Sequence, residues 1–191
     1  RRGGKTIAFA DESGFMLQPT VRRTWAPKGQ TPILRSYDRR DRLSAISAVT
    51  VSPQRRRLGL SFDILDHNVK ADDFEAFIDH LLRRVRRPII LVLDRYSFHR
   101  SAAKRLRTRH CKRVEIEWLP AYAPQLNPDE QVWNHTKYAD LANFVPDDVL
   151  HLGRSGAASL RRTRGQGSLL RSFFNKRNCP CNELIELFNR Q

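Results

Sequence analysis

Pro88-Ile89-Ile90-Leu91-Val92-Leu93-Asp94 is the stretch that decides the fold. Its apolar residues do not alternate with polar ones, so a strand here is buried on both faces, as in the central parallel part of a sheet. Just before it, Phe74, Phe77, Ile78, Leu81, Leu82 and Val85 recur at spacings of three and four and predict a helix over 72–85. Asp72 and Glu75 give that helix a capping-box signature. Just after it, residues 101–109 predict a short basic helix, and 114–119 alternate as a strand does. Farther out on the N-terminal side, 5–11, 43–51 and 58–65 predict strands, the last two joined by a hairpin turn at Ser52-Pro53-Gln54-Arg55. The polar, Pro- and Gly-punctuated residues 12–34 predict a loop or irregular hairpin. On the C-terminal side come a loop over 120–128, a helix over 128–138, and a helix from Pro146-Asp147-Asp148 that Gly153 and Gly156 break or weaken. A weak helical signal at 184–188 ends the chain. This order is that of an α/β fold, a mixed sheet covered by helices.

The 191 residues suit one domain with a short appendage, and 40% apolar residues can bury a core. Lys and Arg number 35 against 20 Asp and Glu, a formal charge of +15 that points to a polyanionic partner, most often nucleic acid. Cys111, Cys179 and Cys181 are too few and odd in number for a disulfide framework, which fits a reducing compartment. Cys179-Pro180-Cys181 lacks the second pair that structural zinc requires. No apolar run is long enough to span a bilayer, and no secretory signal is seen. The chain starts without Met, so a missing N-terminal region is expected.

Three acidic residues carry the chemistry. Asp11 follows the apolar run Ile7-Ala8-Phe9-Ala10, Asp94 follows the run quoted first, and Glu130 follows the helix-start signal Leu126-Asn127-Pro128-Asp129. Carboxylates brought together without cations repel, so a convergence of these three is itself a metal expectation. Two divalent ions about 3.5–4 Å apart activate the attacking oxygen and stabilise the leaving oxygen in phosphoryl transfer. Magnesium takes oxygen ligands and keeps several waters, so a few carboxylates suffice. Each acid has a plainer reading. Asp11 suits a strand-end turn, Glu130 suits a helix cap behind Asn127 and Pro128, and Asp129 competes for either role.

Four blocks carry a family resemblance. They are Phe9-Ala10-Asp11-Glu12-Ser13-Gly14-Phe15; Arg23-Thr24-Trp25-Ala26-Pro27-Lys28-Gly29-Gln30-Thr31-Pro32; Leu91-Val92-Leu93-Asp94 with Phe98-His99-Arg100-Ser101; and residues 119–133, which include Asn127-Pro128-Asp129-Glu130. In this order they resemble the catalytic domain of a DDE transposase of the mariner-like bacterial insertion-sequence group. The resemblance implies a ribonuclease-H-like fold, with a catalytic domain over 1–164, a C-terminal extension over 165–191 and no N-terminal helix-turn-helix region. It implies Asp11, Asp94 and Glu130 as the catalytic and metal-binding acids, holding two Mg2+ or Mn2+ ions. It implies cleavage at element ends and strand transfer by the freed 3′-hydroxyl, with double-stranded DNA as partner, a homodimer as the active complex, and a cytoplasmic, nucleoid-associated location in a bacterium. Arg95 departs from the pattern, which often has Asn after the second acid. A catalytically silent DNA-binding remnant and a ribonuclease-H-like nuclease on other substrates are the alternatives.

Candidate DNA contacts are Arg22, Arg23, Trp25, Lys28, Arg95, His99, Arg100, Lys104 and Arg105. Trp25 amid cations suits base stacking, or else packing under a loop. His99 orients a phosphate or water, or else caps structure.

Overall fold

The computed structural model describes residues 4–36, 41–121 and 123–174. Five strands form one sheet: β1 (Thr6–Met16), β2 (Arg42–Val51), β3 (Leu58–Leu65), β4 (Ile89–Leu93) and β5 (Val114–Trp118), in spatial order β3-β2-β1-β4-β5. The first three pair antiparallel, while β4 joins β1 and β5 in parallel. This mixed sheet flanked by helices is the ribonuclease-H-like arrangement. The five residues of β4 are all buried, as their unbroken apolar run requires.

Alternation along β1 assigns its side chains to two cores. Ile7 and Phe9 face a core completed by α3 (Pro128–His135), α4 (Val149–Gly165) and α5 (Gly167–Phe174). Ala8 and Ala10 face a second core, filled by α1 (Ala71–Arg84) and α2 (Ser97–Arg109).

Several expectations are corrected. The segment after Asp11 is not loop at first, because β1 continues to Met16, pairing Asp11 with Ser47 and Met16 with Arg42. A ladder is made by the backbone, so the polar run Asp11-Glu12-Ser13 does not interrupt it. The pairing of β1 with β4 stops at Phe9 and Val92. Asp11 therefore sits mid-strand, just beyond the point where its parallel neighbour runs out. The helix α2 starts at Ser97, not 101. The cap of α1 is Lys70, whose N–H donates to Asp73, while Glu75 is buried and ion-paired. The helix after Asn127 passes into a π-helical turn over Thr136–Asp140.

Neither glycine breaks α4. A Cβ on Gly153 would lie 3.1 Å from Leu43, and one on Gly156 would lie 3.6 Å from Phe15. Both glycines thus let the helix axis approach the sheet. The hairpin turn forms where expected, with Arg55 at φ 55° and its N–H donating to Ser52 O at 2.7 Å. The helix α5, which lies past residue 164, buries Leu170, Phe173 and Phe174 in the first core, and the Phe174 ring meets Phe9 edge-on at 6.0 Å. Cys111 is exposed and unpaired, whereas Cys179, Cys181 and the signal at 184–188 lie outside the described residues. No described helix is long and apolar enough to cross a membrane.

Candidate active site

The three predicted acids come from three elements and meet at one end of the sheet. Asp11 shares the strand parity of Ile7 and Phe9, so its buried side chain points to the α3 side. Asp94 directly follows β4 with the parity of Ile90 and Val92 and points the same way. Glu130 stands in the first turn of α3, half-buried.

Their mutual electrostatics show the convergence. Burial pushes the Asp11 carboxyl well above the usual range, and the charges of Asp129, Glu12, Glu130 and Asp94 push it further. Burial also raises Glu130, which lies within hydrogen-bonding reach of Asp11; the nearby Lys137 partly offsets the rise. Lys137 itself is lowered by burial, against the pull of Glu130 and Asp11.

The start of α3 is fixed from below. Asn127 caps it, accepting from the Asp129 N–H at 3.1 Å. Asp129 is fully buried, and the Ser47 hydroxyl of β2 lies 2.8 Å from both of its oxygens. It also accepts from the Asp11 backbone N–H, although burial raises its pKa well above the usual range. The adjacent competitor thus pins the helix to the sheet, and Glu130, one residue on, is left to face the other acids.

His99 does not lie at a DNA surface. It is fully buried, with Nδ1 2.5 Å from Asp94 Oδ1 and Nε2 3.2 Å from Glu12 Oε2. Burial alone would lower its pKa, but the bonds to Asp94 and Glu12 overcome that and raise it to about 9. Burial would raise Asp94, yet the bonds from His99 and from the Tyr96 N–H, at 3.0 Å, bring it below the usual range. Glu12 and Lys137 are site residues that sequence reasoning missed. Glu12 is the neighbour of Asp11 on the opposite strand face, and Lys137 lies two helical turns after Glu130, so spacing alone could have found both.

The other candidate contacts divide. Arg22, Arg23, Trp25 and Lys28 are exposed on the segment between β1 and β2, and Trp25 is 100% exposed, so it is not packed under a loop. The Arg22 guanidinium lies 4.7 Å from the Tyr138 ring centroid, which ties this segment to the turn after α3. Arg95, Arg100 and Lys104 are exposed. Arg105 is ion-paired instead, with Glu75 and with Asp72 of α1.

The donor set suits hard divalent cations: clustered carboxylate oxygens, raised by burial and by mutual repulsion. Among the described residues, no three His, Cys, Asp or Glu side chains stand close enough together to hold a metal ion as they are.

By sequence, residues 6–149 match the family described as DDE superfamily endonuclease. Among solved structures, the chain is similar to the Mos1 transposase paired-end complex with left transposon end, at 18% identity and TM-score 0.63, covering 94% of this chain and 53% of that one. It is similar to the Mos1 strand transfer complex at 18% identity and TM-score 0.63, covering 94% and 52%. A Mos1 mariner paired-end complex with Mn gives 18% identity and TM-score 0.53, covering 82% and 53%. The likeness is one of fold, and the chain spans about half the length of these relatives. No curated protein matches the chain.

Proposed function

The chain belongs to the DDE superfamily endonucleases, and on that premise we propose that it is the catalytic domain of an insertion-sequence transposase. It would cut double-stranded DNA at element ends and join the freed 3′-hydroxyl to target DNA, as a homodimer acting at the bacterial nucleoid. One observation carries this reading: Asp11, Asp94 and Glu130, from β1, the end of β4 and α3, act electrostatically on one another at one end of the sheet.

Asp11, Asp94 and Glu130 would hold two Mg2+ or Mn2+ ions. When bound, such ions activate an attacking oxygen and stabilise a leaving oxygen. The chain's own residues do the positioning. His99 orients Asp94 from inside the protein. Asp129 and Ser47 hold α3 at the height that presents Glu130. Lys137 lends positive charge beside Glu130, and Trp25 with Arg22, Arg23 and Lys28 offers an exposed stacking and phosphate surface. Arg95, Arg100 and Lys104 supply further phosphate contacts beside Asp94.

A catalytically silent DNA-binding remnant is the second reading. It is favoured by Asp94 Oδ1, which is already engaged by both His99 and the Tyr96 N–H. The deciding measurement is nicking of duplex DNA in Mn2+, with EDTA as blank. We expect nicking by the native chain and a fall to the EDTA background in Asp94→Asn. Equal nicking by both proteins removes Asp94 from the mechanism. Salt-sensitive DNA binding with no nicking by the native chain leaves the silent remnant.

A further inference from the structure

A second concentration of charge lies away from the carboxylates. A cavity of about 620 Å3 opens beside the β2–β3 turn, at the start of β1 and just before β4. Arg56 and Arg57 line it from the turn; Arg84, Arg86 and Arg87 line it from the end of α1 and the link to β4. None of the lining residues is acidic. Arg56, Arg57, Arg86 and Arg87 make no ion pair with a described carboxylate. The arginines of α2 behave differently, since Arg105 and Arg109 are neutralised by Asp72, Glu75 and Asp79.

A helix C-terminus normally offers its carbonyls to nearby cations. At the end of α1 those acceptors are taken, because Arg113 donates to Leu82 O at 2.8 Å and Val85 O at 2.7 Å. The link arginines are left pointing their charge outward, where like charges repel. A polyanion is what relieves that repulsion.

The cavity and the acids stand at opposite ends of the same strands. Thr6 lines the cavity, and Asp11 lies five residues farther along β1, roughly 17 Å at about 3.3 Å per residue. Arg87 precedes β4 and Asp94 follows it. The cavity and the carboxylates are therefore separate surfaces, and phosphates held at one are not the phosphates held at the other.

We propose that this arginine-lined cavity is a second DNA-backbone site, gripping the phosphates of a duplex segment other than the one at the carboxylates. Guanidinium forks match phosphate oxygens in pairs. Five of them, spread over a turn and a helix end, suit a run of phosphates better than one inorganic ion. The lining offers no aromatic or leucine side chain to insert into a lipid surface.

The proposal does not rest on the metal-site reading, and its test is made without metal. Binding of a duplex of arbitrary sequence is followed by fluorescence anisotropy in EDTA, between about 50 and 200 mM salt, in an Asp94→Asn background. The triple variant Arg56→Ser/Arg86→Ser/Arg87→Ser is compared with Arg154→Ser/Arg161→Ser/Arg171→Ser, which removes equal charge from exposed positions of α4 and α5. We expect the cavity triple to lose at least about tenfold in affinity, and its log–log salt slope to flatten by about 2 to 3, at about 0.9 per lost phosphate contact. The control triple should move both far less. An unchanged slope in the cavity triple overturns the proposal, and so does an equal loss in the control, which would show net charge alone. A loss seen only on anionic phospholipid vesicles, with DNA binding intact, also overturns it. Should the triple melt below the assay temperature, Arg86→Glu alone carries the same test with the same signs.

Discussion

His99 binds two carboxylates at once while sealed from solvent, and this sets how the metal-free protein responds to pH. Its folded pKa, about 9, lies above the ordinary imidazole value of 6.5. The folded state therefore holds this proton more tightly than the unfolded chain does. The stability it contributes is complete below 6.5 and is lost as pH rises through about 9. Asp11 and Glu130 act with the same sign, because burial and their neighbours raise them, and stability drains as pH climbs through their folded values. In EDTA the melting midpoint, read by circular dichroism, is expected to fall between pH 6.5 and about 9. His99→Gln, which cannot titrate, should flatten that fall; an identical slope in the variant assigns it elsewhere. Each of the three candidate acids follows a recognisable local signal in the sequence, which is why they were legible there as candidates. The placement of His99 was not. A histidine in a basic stretch looks like a surface residue, and only tertiary packing puts Phe74 of α1 against its ring, 4.7 Å away.

At the scale of elements, α4 shows why glycine was misread. In isolation a glycine weakens a helix by about 0.5–1 kcal/mol, so Gly153 and Gly156 looked like breaks. Here the absent side chains set how closely the helix lies on Leu43, Phe15 and Ile64. A methyl on Gly156 meets Phe15 at ordinary contact distance, 3.6 Å. Gly156→Ala should thus stabilise the fold by about 0.5–1 kcal/mol, and Gly156→Leu should cost about 1–3 kcal/mol by overpacking. Urea unfolding midpoints check both, and a stabilised Leu variant would mean the helix is not seated as described. The strands β2, β3, β4 and β5 were legible to within about a residue, because apolar alternation and unbroken apolar runs are local properties. The far half of β1 was not. Its pairing residues are polar, and their partner strand lies some thirty positions away, with Asp11 opposite Ser47.

Across the whole molecule, the first core closes only when α5 arrives. Leu170, Phe173 and Phe174 are each buried to 5% exposure or less. At about 1.5–3 kcal/mol per buried side chain, they contribute roughly 5–9 kcal/mol, comparable with the ~5–15 kcal/mol of a typical domain. A chain ending at residue 165 should show no cooperative thermal transition, whereas one ending at residue 174 should keep it. A sharp melt in the shorter chain would place α5 outside the folding unit. The charge of +15 was legible from composition, but not its distribution, since the ion pairs of α2 with α1 join residues 30 to 34 positions apart. The contact between Phe9 and Phe174 has a consequence for biosynthesis. The Phe9 ring waits for one more than 160 residues later in the chain, and Glu130 is translated long after Asp11. A nascent chain on the ribosome therefore exposes Phe9 and an incomplete carboxylate cluster until α3 and α5 have emerged.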